Sequence, residues 1–436
     1  MLLVGIGLLA GLSLPAWAQT DDQTAAAKPP PAPFEGDIWT RKQLLGDPFG
    51  ARSALADHGV TFNLRSSSFY QAVTSGGVDT NNGEVSEVID YIVNVDGHKL
   101  GLWEGLYLNM HATTRYGDDV LADTGGLTLP NAGNVYPLPG DYDGTEVTGY
   151  TASQLFLGGR LAVVGGKLNA IDTVAGLFPK AFDPVNEYWN VNSLVTATPW
   201  FRFVNLAMWG GGAWTYDLAT GLPETGAIAF DLTNQTTSND IDDAFGDGVG
   251  FAGFHRFIYD IDDKLGYFML VAGGSTGEYQ SLDKSDFLII PGEGLVDTEE
   301  KHPYDVAAYL YQEFWQAEGN PARNAHVLFG GTVADDNPSF SNWNIFGRVT
   351  ARGLFDARPG DRMGFAGWAS GISGEFRDTV DTLGIDLRKQ IWGLEAFYNV
   401  EITPWAHLTG NFQLIESVFK GDDVAVVPGV RLVVEF

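Results

Sequence analysis

The sequence predicts an all-β fold, a transmembrane antiparallel β-barrel of about sixteen strands preceded by a short periplasmic N-terminal helix. Three observations carry this expectation. The stretch that leads to Phe436 alternates, with Val430, Leu432, Val434 and Phe436 on one face and Arg431 and Glu435 on the other. Two earlier segments repeat the pattern: Trp392, Leu394, Ala396, Tyr398 and Val400 oppose Glu395, Asn399 and Glu401, and Ala406, Leu408, Phe412 and Leu414 oppose His407, Thr409, Asn411 and Gln413. Each segment is about ten residues, the length a tilted strand needs to cross a bilayer, and one apolar and one polar face suit a wall between lipid and water. Finally, no later stretch approaches eighteen uninterrupted apolar residues, so helical spans are excluded and a closed barrel is the structure that can hide its backbone from lipid.

Taken in chain order, residues 1–18 read as a signal peptide. Leu2 to Leu14 is an apolar run too short to span as a helix, and Ala16-Trp17-Ala18 is a small-x-small cleavage site, so the cut is expected after Ala18. Residues 19–46 begin polar and rich in Ala and Pro (Pro29, Pro30, Pro31, Pro33), which suits a periplasmic tether. Over residues 47–58, Asp47, Pro48 and Gly59 supply an N-cap, a first-turn proline and a closing glycine for one short helix.

Residues 59–436 read as the barrel. Val60, Phe62 and Leu64 oppose Thr61, Asn63, Arg65 and Ser67; Leu106, Leu108, Met110 and Ala112 oppose Asn109, His111, Thr113 and Arg115; Trp343, Ile345, Val349 and Ala351 oppose Asn344, Arg348, Thr350 and Arg352. The segment count comes to sixteen or seventeen, because Trp200 to Leu218 divides in two ways, and single-chain bacterial barrels take even numbers. Short links such as Ile402-Thr403-Pro404 and Arg358-Pro359-Gly360-Asp361 read as periplasmic turns; the long acidic ones, Gly117 to Thr148, Asn234 to Gly248 and Leu282 to His302, read as outer loops. Asp172 to Pro199 is different. It carries Phe178, Phe182, Tyr188 and Trp189 beside Asp183 and Glu187, too much apolar surface to stand in water, so it is expected to fold inward and narrow the pore.

Composition closes off other chemistries. The chain has no cysteine, which removes disulfides, thiolate metal sites and cysteine nucleophiles together. A net charge of −30 excludes a generic nucleic-acid binder; it reads as solubility of long loops, or as a rim that binds divalent cations or repels anions. The Asp-rich stretches at Asp240 to Asp243 and Asp260 to Asp263 lack the glycine and terminal glutamate of a calcium loop, and the seven histidines show no two-His metal spacing. The glycine strings Gly210–Gly212 and Gly273–Gly274 are expected between strands, not before a helix, which argues against a phosphate cradle. No catalytic site, metal or cofactor is expected.

A solute crossing a wetted pore sheds part of its hydration, so the wall must return hydrogen bonds. By alternation the candidates are Arg65, Asn109, His111, Arg115, Lys167, Arg348 and Arg352, to which the inward loop adds Glu187 and Trp189.

Four segments resemble the OprB-type carbohydrate-selective outer-membrane porins: LLGDPFGARSALADHGVTF (Leu44 to Phe62), VVGGKLNAID (Val163 to Asp172), LEAFYNVEITPWAHLTGNFQLI (Leu394 to Ile415) and VPGVRLVVEF (Val427 to Phe436). The resemblance implies a sixteen-stranded, monomeric barrel in the outer membrane of a Gram-negative bacterium. It implies passive diffusion of glucose and related sugars through an arginine-containing constriction, and a terminal aromatic, Phe436, that the barrel assembly machinery reads. Lipopolysaccharide and outer-membrane lipids would surround it. Two alternatives stand beside this reading: a general cation-preferring diffusion pore, favoured by the acidity, and a surface sugar-binding or adhesion protein for which the barrel is an anchor.

Overall fold

The computed structural model describes residues 32–80, 83–135, 142–242, 244–290, 294–297 and 300–436; the signal-peptide reading, Ala18 included, lies outside the described residues. Sixteen strands close into one barrel. They are β1 (Val60–Gln71), β2 (Glu84–Asp96), β3 (Leu106–Gly117), β4 (Gly144–Phe156), β5 (Leu161–Asn169), β6 (Ala207–Tyr216), β7 (Pro223–Asp231) and β8 (Val249–Ile261). The second half comprises β9 (Lys264–Ser275), β10 (Tyr304–Ala317), β11 (Asn320–Ala334), β12 (Ser341–Arg352), β13 (Arg362–Ile372), β14 (Gln390–Thr403), β15 (Ala406–Ile415) and β16 (Ala425–Glu435). Each pairs antiparallel with the next, and the seam between β1 and β16 runs from Arg65 opposite Glu435 to Gln71 opposite Gly429. The ambiguous Trp200 to Leu218 region resolves into a 3-10 turn, Pro199–Arg202, followed by the single strand β6.

Side-chain alternation sorts the two faces as a period of two requires. On β12, Ile345 and Val349 point outward and are exposed, whereas Asn344, Arg348 and Thr350 point inward and are buried. The glycine strings do not lie between strands as the sequence suggested. Gly210–Gly212 sits inside β6, where a Cβ on Gly211 would come within 2.7 Å of the Val164 carbonyl oxygen of β5, so a side chain there would press on the neighbouring backbone. Gly273 and Gly274 lie near the end of β9.

Short turns and the N-terminal segment gather at one end of the barrel and the long loops at the other, as a meander with even strand number dictates. At the short-turn end, Leu44 N donates to Glu435 O at 2.8 Å, so part of the stretch read as a tether folds against the last strand. The helix comes as expected but starts late: a 3-10 turn over Pro48–Gly50 precedes Ala51–Asp57, and Asp47 Oδ1 accepts from Arg52 N at 2.8 Å and Ser53 N at 3.3 Å. Gly59, at φ +84°, then turns the chain into β1.

A closed ladder holds its shape in detergent until it is boiled. Unboiled protein is therefore expected to migrate as a separate, compact band in denaturing gels, and identical mobility before and after boiling would contradict closure.

Candidate permeation pathway

The lumen is filled on one side by the link between β5 and β6, which turns inward as the sequence indicated. Asn169 starts the turn: its side chain caps the helix Ala170–Leu177, accepting from Ile171 N at 2.9 Å and Asp172 N at 3.3 Å. The loop's aromatics then meet aromatics on the inner wall. Phe178 packs edge-on against Tyr309 at 4.8 Å between ring centroids, Tyr188 against Phe397 at 4.8 Å, and Trp189 against Phe69 at 5.7 Å. Phe69, Phe346 and Phe397 are apolar residues on the inward phase of their strands, and this break in the alternation is the signal that would have located the docking face.

Polar wall groups register the loop. Glu395 accepts from Trp189 N at 2.6 Å, Asn190 N at 3.2 Å and Asn411 Nδ2 at 2.6 Å. The Tyr188 hydroxyl donates to Val349 O at 2.6 Å, with Phe365 O at 3.1 Å. Arg431 donates to Pro184 O at 2.7 Å and Glu187 O at 3.1 Å, and Arg348 donates to Ser193 O at 2.9 Å. A second link, between β3 and β4, folds over the first: Ala132 N donates to Trp189 O at 2.7 Å, Val191 N to Leu129 O at 3.1 Å, and Gln413 Nε2 to Pro130 O at 2.8 Å. The sequence assigned this stretch to an outer loop, and its apolar residues Leu127 and Leu129 give the inward fold little signal.

Along β1, β2 and β3 lies a cavity of about 60 Å³, partly open to solvent, that borders a ladder of charged groups. Arg65 Nη2 stands 2.5 Å from Asp90 Oδ2; Asp90 Oδ1 stands 3.0 Å from His111 Nε2; His111 Nδ1 stands 2.8 Å from Asp172 Oδ2 on the inward helix. The imidazole thus lies between two carboxyl groups, and basic and acidic side chains alternate along the ladder. Ile92 and Ile171 add apolar surface beside it. A second charged group lies toward the short-turn end: Arg352, the last residue of β12, meets Glu187 at 2.5 Å, and Arg362, the first of β13, meets Asp183 at 2.5 Å and Glu187 at 3.5 Å. Arg362 was not singled out from the sequence, because it follows a turn where strand phase has no start.

The residues named from alternation separate into two groups. Arg65 and His111 line the cavity, His111 being itself buried, and Arg352 keeps a side-chain exposure of 19%. Asn109 is half-buried and donates to Asn94 Oδ1 at 2.8 Å. The others are buried and bonded to other parts of the chain in this structure. Arg115 is buried and donates to Asn134 O at 2.9 Å and Tyr142 O at 3.3 Å, tying down the β3–β4 link. Lys167 is buried and donates to Val147 O at 2.6 Å, Ser238 O at 2.8 Å and Asn239 Oδ1 at 3.0 Å. Glu187 and Arg348 are buried and make the contacts above, and Trp189 has no exposed face, with Phe69 on one side and the Arg431 guanidinium 5.2 Å from its ring. Alternation reports which face a residue is on, but not whether a loop covers it. Phe436 joins the seam, its N donating to Leu64 O at 2.8 Å.

A closed sixteen-strand barrel, narrowed by its own loop and charged along the opening, is the architecture of a porin. The model of the carbohydrate-selective porin, OprB family, matches residues 84–436, and the chain belongs to that family. Among solved structures the chain is similar to the high-pH structure of Pseudomonas putida OprB, with TM-score 0.76, 17% identity, and coverage of 92% of this chain and 100% of that one. The low-pH structure of the same protein gives TM-score 0.56, 15% identity, and coverage of 91% and 99%. Comparison with curated protein sequences gave no match.

Glu395→Ala would leave the amides of Trp189 and Asn190 without their acceptor, at a cost of about 1–3 kcal/mol for each buried donor left unmade. Single-channel recording is expected to show a larger and noisier conductance in this variant, as the loop leaves the wall; conductance and noise equal to the parent would show that Glu395 does not hold it.

Proposed function

We propose that this porin passes glucose-like monosaccharides and related small sugars by passive diffusion across the outer membrane of a Gram-negative bacterium into the periplasm, as a monomer. The observation that supports this most directly is the ladder Arg65–Asp90–His111–Asp172 at the cavity between the wall and the inward loop. A partly dehydrated sugar needs donors and acceptors close together for its hydroxyls and an apolar surface for its ring face, and the ladder with Ile92 and Ile171 offers both. Because the charges alternate, no strong net field favours an ion over a neutral solute at this height. Binding stays weak, as passage requires. The reading includes Phe436 as the group recognised by the barrel assembly machinery, and lipopolysaccharide and phospholipid around the outer wall.

One observation favours a cation-preferring diffusion pore instead, the net charge of −30. Swelling of proteoliposomes in mono-, di- and trisaccharides, with reversal potentials in a salt gradient, tests both readings. Swelling that falls steeply with sugar size, with current blocked by monosaccharide, supports the sugar pathway; strong cation selectivity without sugar block supports the general pore; no flux of either supports a barrel that serves as an anchor for surface binding.

Removing Arg65 takes away charge-assisted donors worth about 1.5–3 kcal/mol at most, and less in a wetted pore. Arg65→Ala is thus expected to weaken sugar block of ion current several-fold with the barrel intact, while Thr114→Ala, on the outer face of β3, leaves it unchanged. Arg115→Ala is expected to loosen the β3–β4 link with a smaller effect on block than Arg65→Ala, since Arg115 is buried against that link whereas Arg65 lines the cavity. Equal block in Arg65→Ala and the parent would remove the ladder from the pathway.

A further inference from the structure

The stretch before the barrel exposes large apolar side chains: Trp39 is 72% exposed, Leu45 56% and Phe49 107%, with Ile38 and Leu55 also exposed. Water disfavours such exposure, and exposed apolar surface of this kind marks contact with a partner or a membrane. Its geometry is held in place. Phe49 sits at φ 60°, a left-handed conformation unusual for a bulky residue, between Asp47 and the helix that Asp47 caps.

The segment is continuous with the barrel's outer wall. Trp405, in the turn between β14 and β15, donates its indole N–H to Ile38 O at 2.7 Å, and Ile402 beside it is exposed. The Arg52 guanidinium lies 4.5 Å from the ring centre of Phe62, which is exposed on the outer face of β1. Other turns at the same end carry exposed apolar residues as well, among them Trp103, Leu157 and Phe355. Trp39 and Phe49 thus extend an apolar collar that begins on the wall the barrel presents to lipid. The segment also carries an exposed cation, Lys42, suited to phospholipid phosphate.

We propose that residues 38–55 form an interfacial membrane anchor, with Trp39, Leu45 and Phe49 seated among phospholipid headgroups and upper acyl chains of the leaflet at the short-turn end. The inference rests on the reading of the barrel as membrane-spanning. It goes beyond transport: the segment grips the bilayer from the side and fixes the height of the barrel in it. Interfacial elements of this kind seat their apolar side chains about 5–10 Å into the headgroup and acyl boundary.

Because the chain has no cysteine, single labels can be placed cleanly. Trp39→Cys and Phe49→Cys, each carrying a nitroxide, and Met110→Cys on the outer face of β3 as the control for lipid contact, are reconstituted in phosphatidylethanolamine–phosphatidylglycerol vesicles after each variant has shown the heat-modifiable band. Power saturation then compares collision with oxygen, which concentrates in lipid, and with a nickel chelate, which stays in water. Oxygen accessibility is expected to exceed nickel accessibility several-fold at positions 39 and 49, at shallower depth than at 110. Nickel-dominated collision at 39 and 49 with oxygen-dominated collision at 110 would place the segment in water and overturn the proposal. Exclusion of both reagents at 39 and 49 would mean that protein, a second copy or a periplasmic partner, covers the patch, and would also overturn it. Nickel-dominated collision at 110 would instead contradict the membrane-spanning reading of the barrel itself.

Discussion

The structure depends on the hydrogen-bond requirement of a backbone in lipid. A peptide group facing hydrocarbon has no water to turn to, so each strand must find both neighbours, and the last must find the first. The β1–β16 seam meets that demand, and the residues around it strengthen it from the short-turn end: Asn63 Nδ2 donates to Glu435 Oε2 at 2.6 Å, and Arg52 Nη2 donates to Phe436 O at 2.7 Å. Even strand number, paired termini, and the division of short turns from long loops are consequences of closure.

Closure with sixteen strands creates a second problem, an interior too wide to be filled by wall side chains alone. The chain fills it with two links that enter from the long-loop end. Apolar contact supplies the bulk of their docking, through rings such as Phe178, Tyr188, Tyr309 and Phe397, while buried polar groups select one position for them. Glu395, Arg348 and Arg431 are ionisable side chains almost wholly out of water, and each is directed at backbone amides or carbonyls of the inward loop. Burying such groups costs more than it returns unless the geometry is met in full, so a displaced loop is penalised heavily. These residues hold the inward loop against the wall.

On the proposed reading, solute meets the wall at the cavity between the inward loop and β1 to β3, where basic and acidic side chains alternate at hydrogen-bonding distance. Groups already paired with one another offer hydrogen bonds to a passing hydroxyl without holding a net charge that would trap an ion. A carbohydrate-selective porin needs this combination of many weak contacts and no deep one.

Strand existence, the sorting of each strand into two faces, the inward turn of the Asp172 to Pro199 stretch and the short helix after Asp47 were all legible in the sequence, because each follows from local periodicity, capping or an excess of apolar surface. The inward placement of Arg65 and His111 was legible for the same reason. Arg115, Lys167 and Trp189 show the limit: alternation put the first two on the inner face, and the loop's apolar content drew attention to the third, yet all three are sealed behind other parts of the chain. Arg362 shows it from the opposite direction, since its place at the first position of a strand depends on where the turn ends. Period-two patterning is a property of neighbours along one strand, so the sequence by itself determined the wall and which side of it faces water. Which inward groups stay in contact with that water was decided only by the tertiary structure, because coverage depends on segments far apart in sequence meeting inside the closed barrel.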